Sequence, residues 1–208
     1  NKTDNNVSHF DTGLSFQQAI KGRFFWCTGI AYIFLMMAQV GGIAHQFGLS
    51  RELLTQAETA MVVAILPIAS IIGRLVGGWL LGRMDIRRFA LFMMLLQGIS
   101  LAALGFGGSL VVLCVGLAAF GITVGNLLML QPLLVAEAYG VKAYAKIFSV
   151  NNLLGSIGTA AGPSLLGLVY QLNQNQYSSA YMVAAMMGVL GLVLFIFGGH
   201  VKQSVETV

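Results

Sequence analysis

The sequence predicts an all-α polytopic membrane protein of six transmembrane helices, and three observations predict it. Hydrophobic residues make up 57% of the 208 and charged residues only 9%, against roughly 25% charged in an average soluble domain. A water-soluble fold cannot hide that much apolar surface. Six apolar runs each approach or exceed the roughly 20 residues that a helix needs to cross about 30 Å of hydrocarbon. Lysine and arginine, finally, collect in the breaks on one side of those runs, as they do in cytoplasmic loops.

Residues 1–23 are polar and read as a cytoplasmic linker whose last stretch, LSFQQAIKGR, suits a short interfacial helix. The spans are then placed at Phe24 to Phe47, Ala57 to Gly82, Phe89 to Phe106, Leu110 to Ala136, Ala145 to Tyr170 and Ser179 to Gly199. Breaks at GLSRELLTQ, RMDIRR, GGS, EAYGVKAY and QLNQNQY separate them, so 24–199 forms one bundle and 200–208 a cytoplasmic tail. The 26 glycines and 10 methionines suit helices that approach closely in lipid. The first residue is Asn1, and the first apolar run is too long for a signal peptide, so the sequence reads as a fragment of a longer chain.

Six spans put both ends of the chain on one side. That side carries Lys2, Lys21, Arg23, Arg83, Arg87, Arg88, Lys142, Lys146 and Lys202, and the other carries Arg51. The asymmetry places both termini in the cytoplasm of a cell bounded by a plasma or bacterial inner membrane. With that topology the Asn1 to Thr3 and Asn6 to Ser8 patterns are not glycosylation sites, which require the lumenal side.

Arg74 belongs to neither side. It lies nine residues, roughly 13 Å of helix rise, from Arg83. A guanidinium at that depth costs on the order of 3 kcal/mol by insertion scales, so it should face a cavity or a partner. Its planar donors match a carboxylate. The plainer reading is that it snorkels to the headgroups or meets backbone carbonyls at a helix contact, since Gly73 and Gly77 flank it in a small-xxx-small spacing. The acids are Asp4, Asp11, Glu52, Glu58, Asp85, Glu137 and Glu206, none in the middle of a span. Its counter-charge is then an anionic substrate, water, or another part of the protein.

Other polar residues within spans are Tyr32, Gln39, His45, Gln97, Asn126, Gln131, Asn151 and Asn152. Most serve as interhelical glue. Tyr32, Met36 and Gln39 share a face, where an amide or phenol could orient a substrate, although core hydrogen bonding is the plainer role, and Asn126 and the pair Asn151 and Asn152 fit either. His45, near the outer end of its span, is of the residue type that could couple proton movement to transport, although a solvated interfacial histidine is the plainer reading.

Several functions are excluded. The net charge of +4 comes from short loops without base-reading partners, which speaks against nucleic acid. Cys27 and Cys114 lie in apolar runs, as small hydrophobic side chains do. No metal-ligand cluster, nucleophile constellation or phosphate-binding loop occurs, so no enzyme, metal or cofactor is expected. At the basic side, Arg83, Asp85, Arg87 and Arg88 could latch to Glu137, Lys142 and Lys146, although loop topology alone explains these charges.

The stretch GRLVGGWLLGRMDIRR, Gly73 to Arg88, resembles the loop signature of the major facilitator superfamily, with Gly82 where the usual acid stands and Asp85 where a glycine is usual. The stretch VAEAYGVKAYAKIFSVNNLLGSIGTAAGPSLLGLVYQ, Val135 to Gln171, is similar to the C-terminal half of monocarboxylate and oxalate:formate type transporters, notably at Gly162, Pro163 and Gly167. The resemblance implies one half of such a fold, a missing N-terminal six-helix half, and secondary transport of a small carboxylate, with or without protons, by alternating access. Arg74 aligns with the substrate-carboxylate arginine of that branch, and Ser70 stands where its acid would be. The expected substrate-binding set is Arg74, Tyr32, Gln39, Asn126 and Asn152. The alternatives are an efflux or sugar carrier of the same superfamily, or a non-transporting scaffold.

Overall fold

A computed structural model describes residues 13–199, and among these it has eight helices. They are α1 (Phe16–Ala19), α2 (Arg23–Arg51), α3 (Gln56–Val63), α4 (Ile65–Leu81), α5 (Ile86–Phe106), α6 (Leu110–Tyr139), α7 (Tyr144–Leu172) and α8 (Tyr177–Gly198). Taken with α3 and α4 as one span, α2 to α8 give six helices long and apolar enough to cross a membrane. Several run beyond their apolar stretches, because caps rather than hydropathy end a helix. Asp85 caps α5 by accepting from the Arg88 N–H at 2.8 Å, and Ser109 caps α6 through the Val112 N–H at 3.3 Å. Most of the expected linker, the tail, Lys2, Lys202 and both Asn-x-Ser/Thr patterns lie outside the described residues.

The second span is divided at Ala64, which joins α3 to α4. The cause stands three residues on. Pro67 has no N–H to give the Val63 carbonyl and its ring crowds that oxygen. At the other end of α3, Thr55 and Glu58 form a capping box, with the Thr55 N–H 2.9 Å from a Glu58 carboxylate oxygen.

Glycine sets how closely the helices approach. On α7, Gly158 and Gly162 lie against the Ile33 and Met37 carbonyl oxygens of α2 so tightly that a Cβ would overlap either one. Gly98 of α5 faces Gly188 of α8; Gly73 and Gly77 of α4 face Ile122 and Asn126 of α6, and Gly121 and Gly125 of α6 face Leu66, Ala69, Ser70 and Arg74 of α4. Packing of this kind substitutes for a hydrophobic driving force, which helices in lipid lack. Larger side chains fill what remains: Phe25, Tyr32, Leu35, Met94 and Phe195 in one core, and Leu101, Leu117, Phe120 and Tyr181 in a second towards the opposite end.

Every described Lys and Arg except Arg51 and Arg74 lies at the end where α2, α5 and α7 begin. Two arginines there close the C-terminus of α8. The buried Arg87 guanidinium donates to the carbonyls of Phe195 at 3.3 Å, Ile196 at 3.4 Å and Gly199, with the Phe195 ring 4.8 Å away. Arg23 donates to the Phe197 carbonyl. Arg83 instead lies over the Trp79 ring, 3.7 Å from its centroid. The basic turn thus supplies caps and stacking within the bundle: Asp85 caps α5, and Arg87 also feels the charges of Asp85 and Glu137, two members of the expected latch.

The end of the linker is also fastened here. Leu14 donates its N–H to the Tyr139 carbonyl at 2.9 Å, Ala19 is buried, and Trp26 donates its indole N–H to the Ile20 carbonyl at 2.8 Å. Gly13 sits at φ +138° beside Tyr139, where a Cβ would overlap the carbonyl oxygen.

Candidate functional site

The site is a cleft whose floor belongs to α6. Gly125, Leu128 and Gln131 follow one another at three-residue steps, which places them about 60° apart around the helix. α4 packs on Gly125. α7 packs on Gln131, whose amide donates to the Asn151 carbonyl at 3.1 Å. Leu128 therefore faces the opening between α4 and α7, and it is 48% exposed.

Arg74 stands on the α4 flank of this cleft. Leu66, Ala69, Ser70, Gly73 and Gly77 turn towards α6 and leave the rest of α4 uncovered, and Arg74 is exposed next to Ser70, which is buried in the seam. Its methylene stem crosses α6 at Gly125. Among the described residues no carbonyl or carboxylate pairs with its guanidinium, and no acid is placed in the middle of a span.

Asn126 lies beside Gly125 but points elsewhere, since it is about 160° around α6 from Leu128. Its amide donates to Gly73 O and Ile122 O, both at 2.9 Å, and its Oδ1 is buried without a partner among the described residues. The amide thereby fixes the register of α4 on α6. Tyr32 is wholly buried and donates to the Leu127 carbonyl at 3.2 Å, joining α2 to α6 just behind the floor. Gln39 is buried one end further along α2, with its Oε1 unpartnered.

Asn152 opens on the α7 flank. On that helix Gly158 and Gly162 back onto α2 and Gly155 turns to Gln131, so Asn152, Ser156 and Thr159 come next around it, all exposed. Asn151, one residue away, is buried between Gly29 and Gln131. Gln131 is six residues, about 9 Å along α6, from Gly125, so Asn152 lies nearer the basic end than Arg74. Ser156 is about 6 Å further up α7 and closer to the arginine's level. The hydroxyls of Ser149, Ser156 and Thr159 donate to carbonyls one turn back, at 2.6, 2.9 and 3.3 Å. The apolar side of the same helix, Leu153, Ile157 and Leu168, is exposed in another direction, as a lipid-facing surface is.

His45 is not a free interfacial group. Its Nε2 donates to the Pro163 carbonyl at 3.0 Å and its ring lies 5.7 Å from that of Tyr177, where α2 crosses α7 near the Arg51 end.

Residues 24–207 match the family model described as the Major Facilitator Superfamily. The chain belongs to that superfamily. It is 26% identical over 189 residues to the benzoate transport protein of Acinetobacter baylyi, an alignment covering 85% of this chain and 37% of that protein. The crystal structure of the E. coli fucose:proton symporter matches with a TM-score of 0.75 at 17% identity, covering 89% of this chain and 46% of that one. At that identity the likeness is one of fold. The chain thus spans less than half the length of either relative. It is an integral membrane protein of a transporter superfamily, and the cleft between α4 and α7 is the place where its polar, incompletely covered residues gather.

Four cleft residues were not among those expected from the sequence: Leu128, Ser156, Thr159 and Gly125. The Asn152, Ser156 and Thr159 spacing carries a helical signal that could have been read, whereas Leu128 and Gly125 look like any other apolar or small residue in a span.

Proposed function

We propose that this chain takes part in secondary active transport of small organic anions of the monocarboxylate type by alternating access, with Arg74 binding the substrate carboxylate. One observation carries the reading: an exposed guanidinium on the flank of a cleft, in a helix otherwise apolar, without an acid or carbonyl partner among the described residues. Charge so placed in a membrane protein marks a substrate path, and a planar fork of donors fits a carboxylate. The similarity to a protein named for benzoate transport supports this substrate class.

Asn152 is the second contact in this scheme, while Tyr32, Gln39 and Asn126 shape the cavity from behind by holding α2, α4 and α6 in place. A second six-helix bundle, in the part of the relatives that this chain does not span, would close the cleft. The basic end, with both termini, faces the cytoplasm of a plasma or bacterial inner membrane.

The test is thermal stability of the full-length protein in detergent with benzoate, lactate, pyruvate, oxalate, formate or neutral sugars. A carboxylate at a hundred times its Kd should stabilise by about 2.7 kcal/mol. The shift should vanish in Arg74→Ala and shrink in Arg74→Lys, which keeps charge but not the fork. A carboxylate shift that survives Arg74→Ala would place the anion elsewhere, and a shift with sugars alone would favour a sugar carrier.

A further inference from the structure

We infer that Gly125 is a positioning residue for Arg74: the bare backbone of α6 at that point is the seat over which the arginine stem crosses, and it determines where the guanidinium is presented. The inference rests on Arg74 being the carboxylate ligand proposed above.

An arginine side chain loses many rotamers when it is ordered, and a ligand that finds it already held has less ordering to impose. Here the stem is held by contact. A Cβ built on Gly125 would lie 2.9 Å from Arg74 Cγ, well inside the roughly 3.5 to 4.0 Å at which carbon atoms rest. Cγ is in the middle of the stem, so it cannot step aside without redirecting the head. Asn126 holds the Gly73 carbonyl at 2.9 Å from the opposite edge of the same seam, so a shift of α4 that makes room also strains that bond.

One turn earlier the seam contains its own control. A Cβ on Gly121 would overlap the Leu66 carbonyl oxygen and lie 2.9 Å from Ala69 Cβ; one on Gly125 would overlap the Ser70 carbonyl oxygen and lie 2.9 Å from Arg74 Cγ. The backbone disturbance is the same at both positions. What differs is the side chain displaced, Ala69 at one and Arg74 at the other.

The experiment compares Gly121→Ala, Gly125→Ala, Arg74→Ala and wild type in the full-length protein, reconstituted in vesicles, by saturable uptake of labelled benzoate and by thermal unfolding. Both glycine variants should lose similar stability. Gly121→Ala should leave KM within about twofold, and Gly125→Ala should raise it about tenfold, with the maximal rate changed much less. Equal KM effects in the two glycine variants would overturn the inference while leaving Arg74 as ligand. Wild-type uptake by Arg74→Ala would instead overturn the proposed function itself. If either glycine variant is not recovered folded, Asn126→Ala decides, since it adds no atom to the seam but releases its register. A several-fold rise in KM is then expected, and an unchanged KM would overturn the inference.

Discussion

Replacing Arg87 tests whether the basic turn after the second span is an internal fastening. The side chain is buried, it donates to the carbonyls of Phe195, Ile196 and Gly199, and it lies against the Phe195 ring. The bonds at 3.3 and 3.4 Å are long and contribute little. The one to Gly199 is charge-assisted and of the kind that contributes about 1.5 to 3 kcal/mol. A cation at a helix C-terminus adds about 0.3 to 1 kcal/mol, and the ring contact about 0.5 to 1 kcal/mol. Methionine keeps most of the stem packing, so Arg87→Met should cost about 3 kcal/mol. Over a cooperative unit of about 200 residues that is a fall of roughly 6 to 12 °C in Tm, and proportionately less over a longer one. Arg87→Lys keeps the charge and reaches one carbonyl, so roughly half the loss is expected. Thermal unfolding of the full-length protein in detergent, at low and high salt, measures both. Because the group is buried, salt should change the difference little. A loss under about 0.5 kcal/mol for Arg87→Met, or one abolished by salt, would refute the fastening and return Arg87 to the role of an ordinary topological charge.

Two further outcomes follow from buried contacts. Tyr181 donates to the Gly42 carbonyl at 2.7 Å and Tyr32 to the Leu127 carbonyl at 3.2 Å, so Tyr181→Phe should cost about 1 kcal/mol and Tyr32→Phe less; thermal melts that reverse that order would contradict the assignment. Gly158→Val puts a branched side chain against the Ile33 carbonyl, which forces α2 and α7 apart. Folded yield by size-exclusion chromatography should collapse, and normal recovery would show that the α2–α7 contact is not the tight one described.

The six spans were legible because a bilayer leaves the chain little choice: each crossing must be long, apolar and helical. Arg74 was legible for the same reason, as a charge where charge is costly. What the residues around it do was not. Tyr32, Gln39, Asn126 and Asn152 are alike as polar residues in apolar runs, and only packing separates Asn126 and Tyr32, which bond backbone carbonyls of other helices, from Asn152, which opens on the cleft. Asn151 and Asn152 are adjacent in sequence yet about 100° apart on the helix, and the sequence alone does not say which of the two turns inward. His45 reads as solvated from its place near a span end, but its partner, the Pro163 carbonyl, is 118 residues away. The division at Ala64 could have been foreseen from Pro67; the seat at Gly125 could not, because a glycine in a membrane helix carries no mark of what crosses it.

The hydroxyls along α7 have a consequence for the sign of that surface. Each of Ser149, Ser156 and Thr159 has turned its only proton onto its own helix, so what it shows outward is a lone pair. Arg74, across the cleft, has nothing but protons to offer. The two flanks therefore have opposite polarity in hydrogen bonding, one giving and the other taking, with the Asn152 amide able to do both. Among these α7 residues the Asn152 amide is thus the one that can still donate into the cleft.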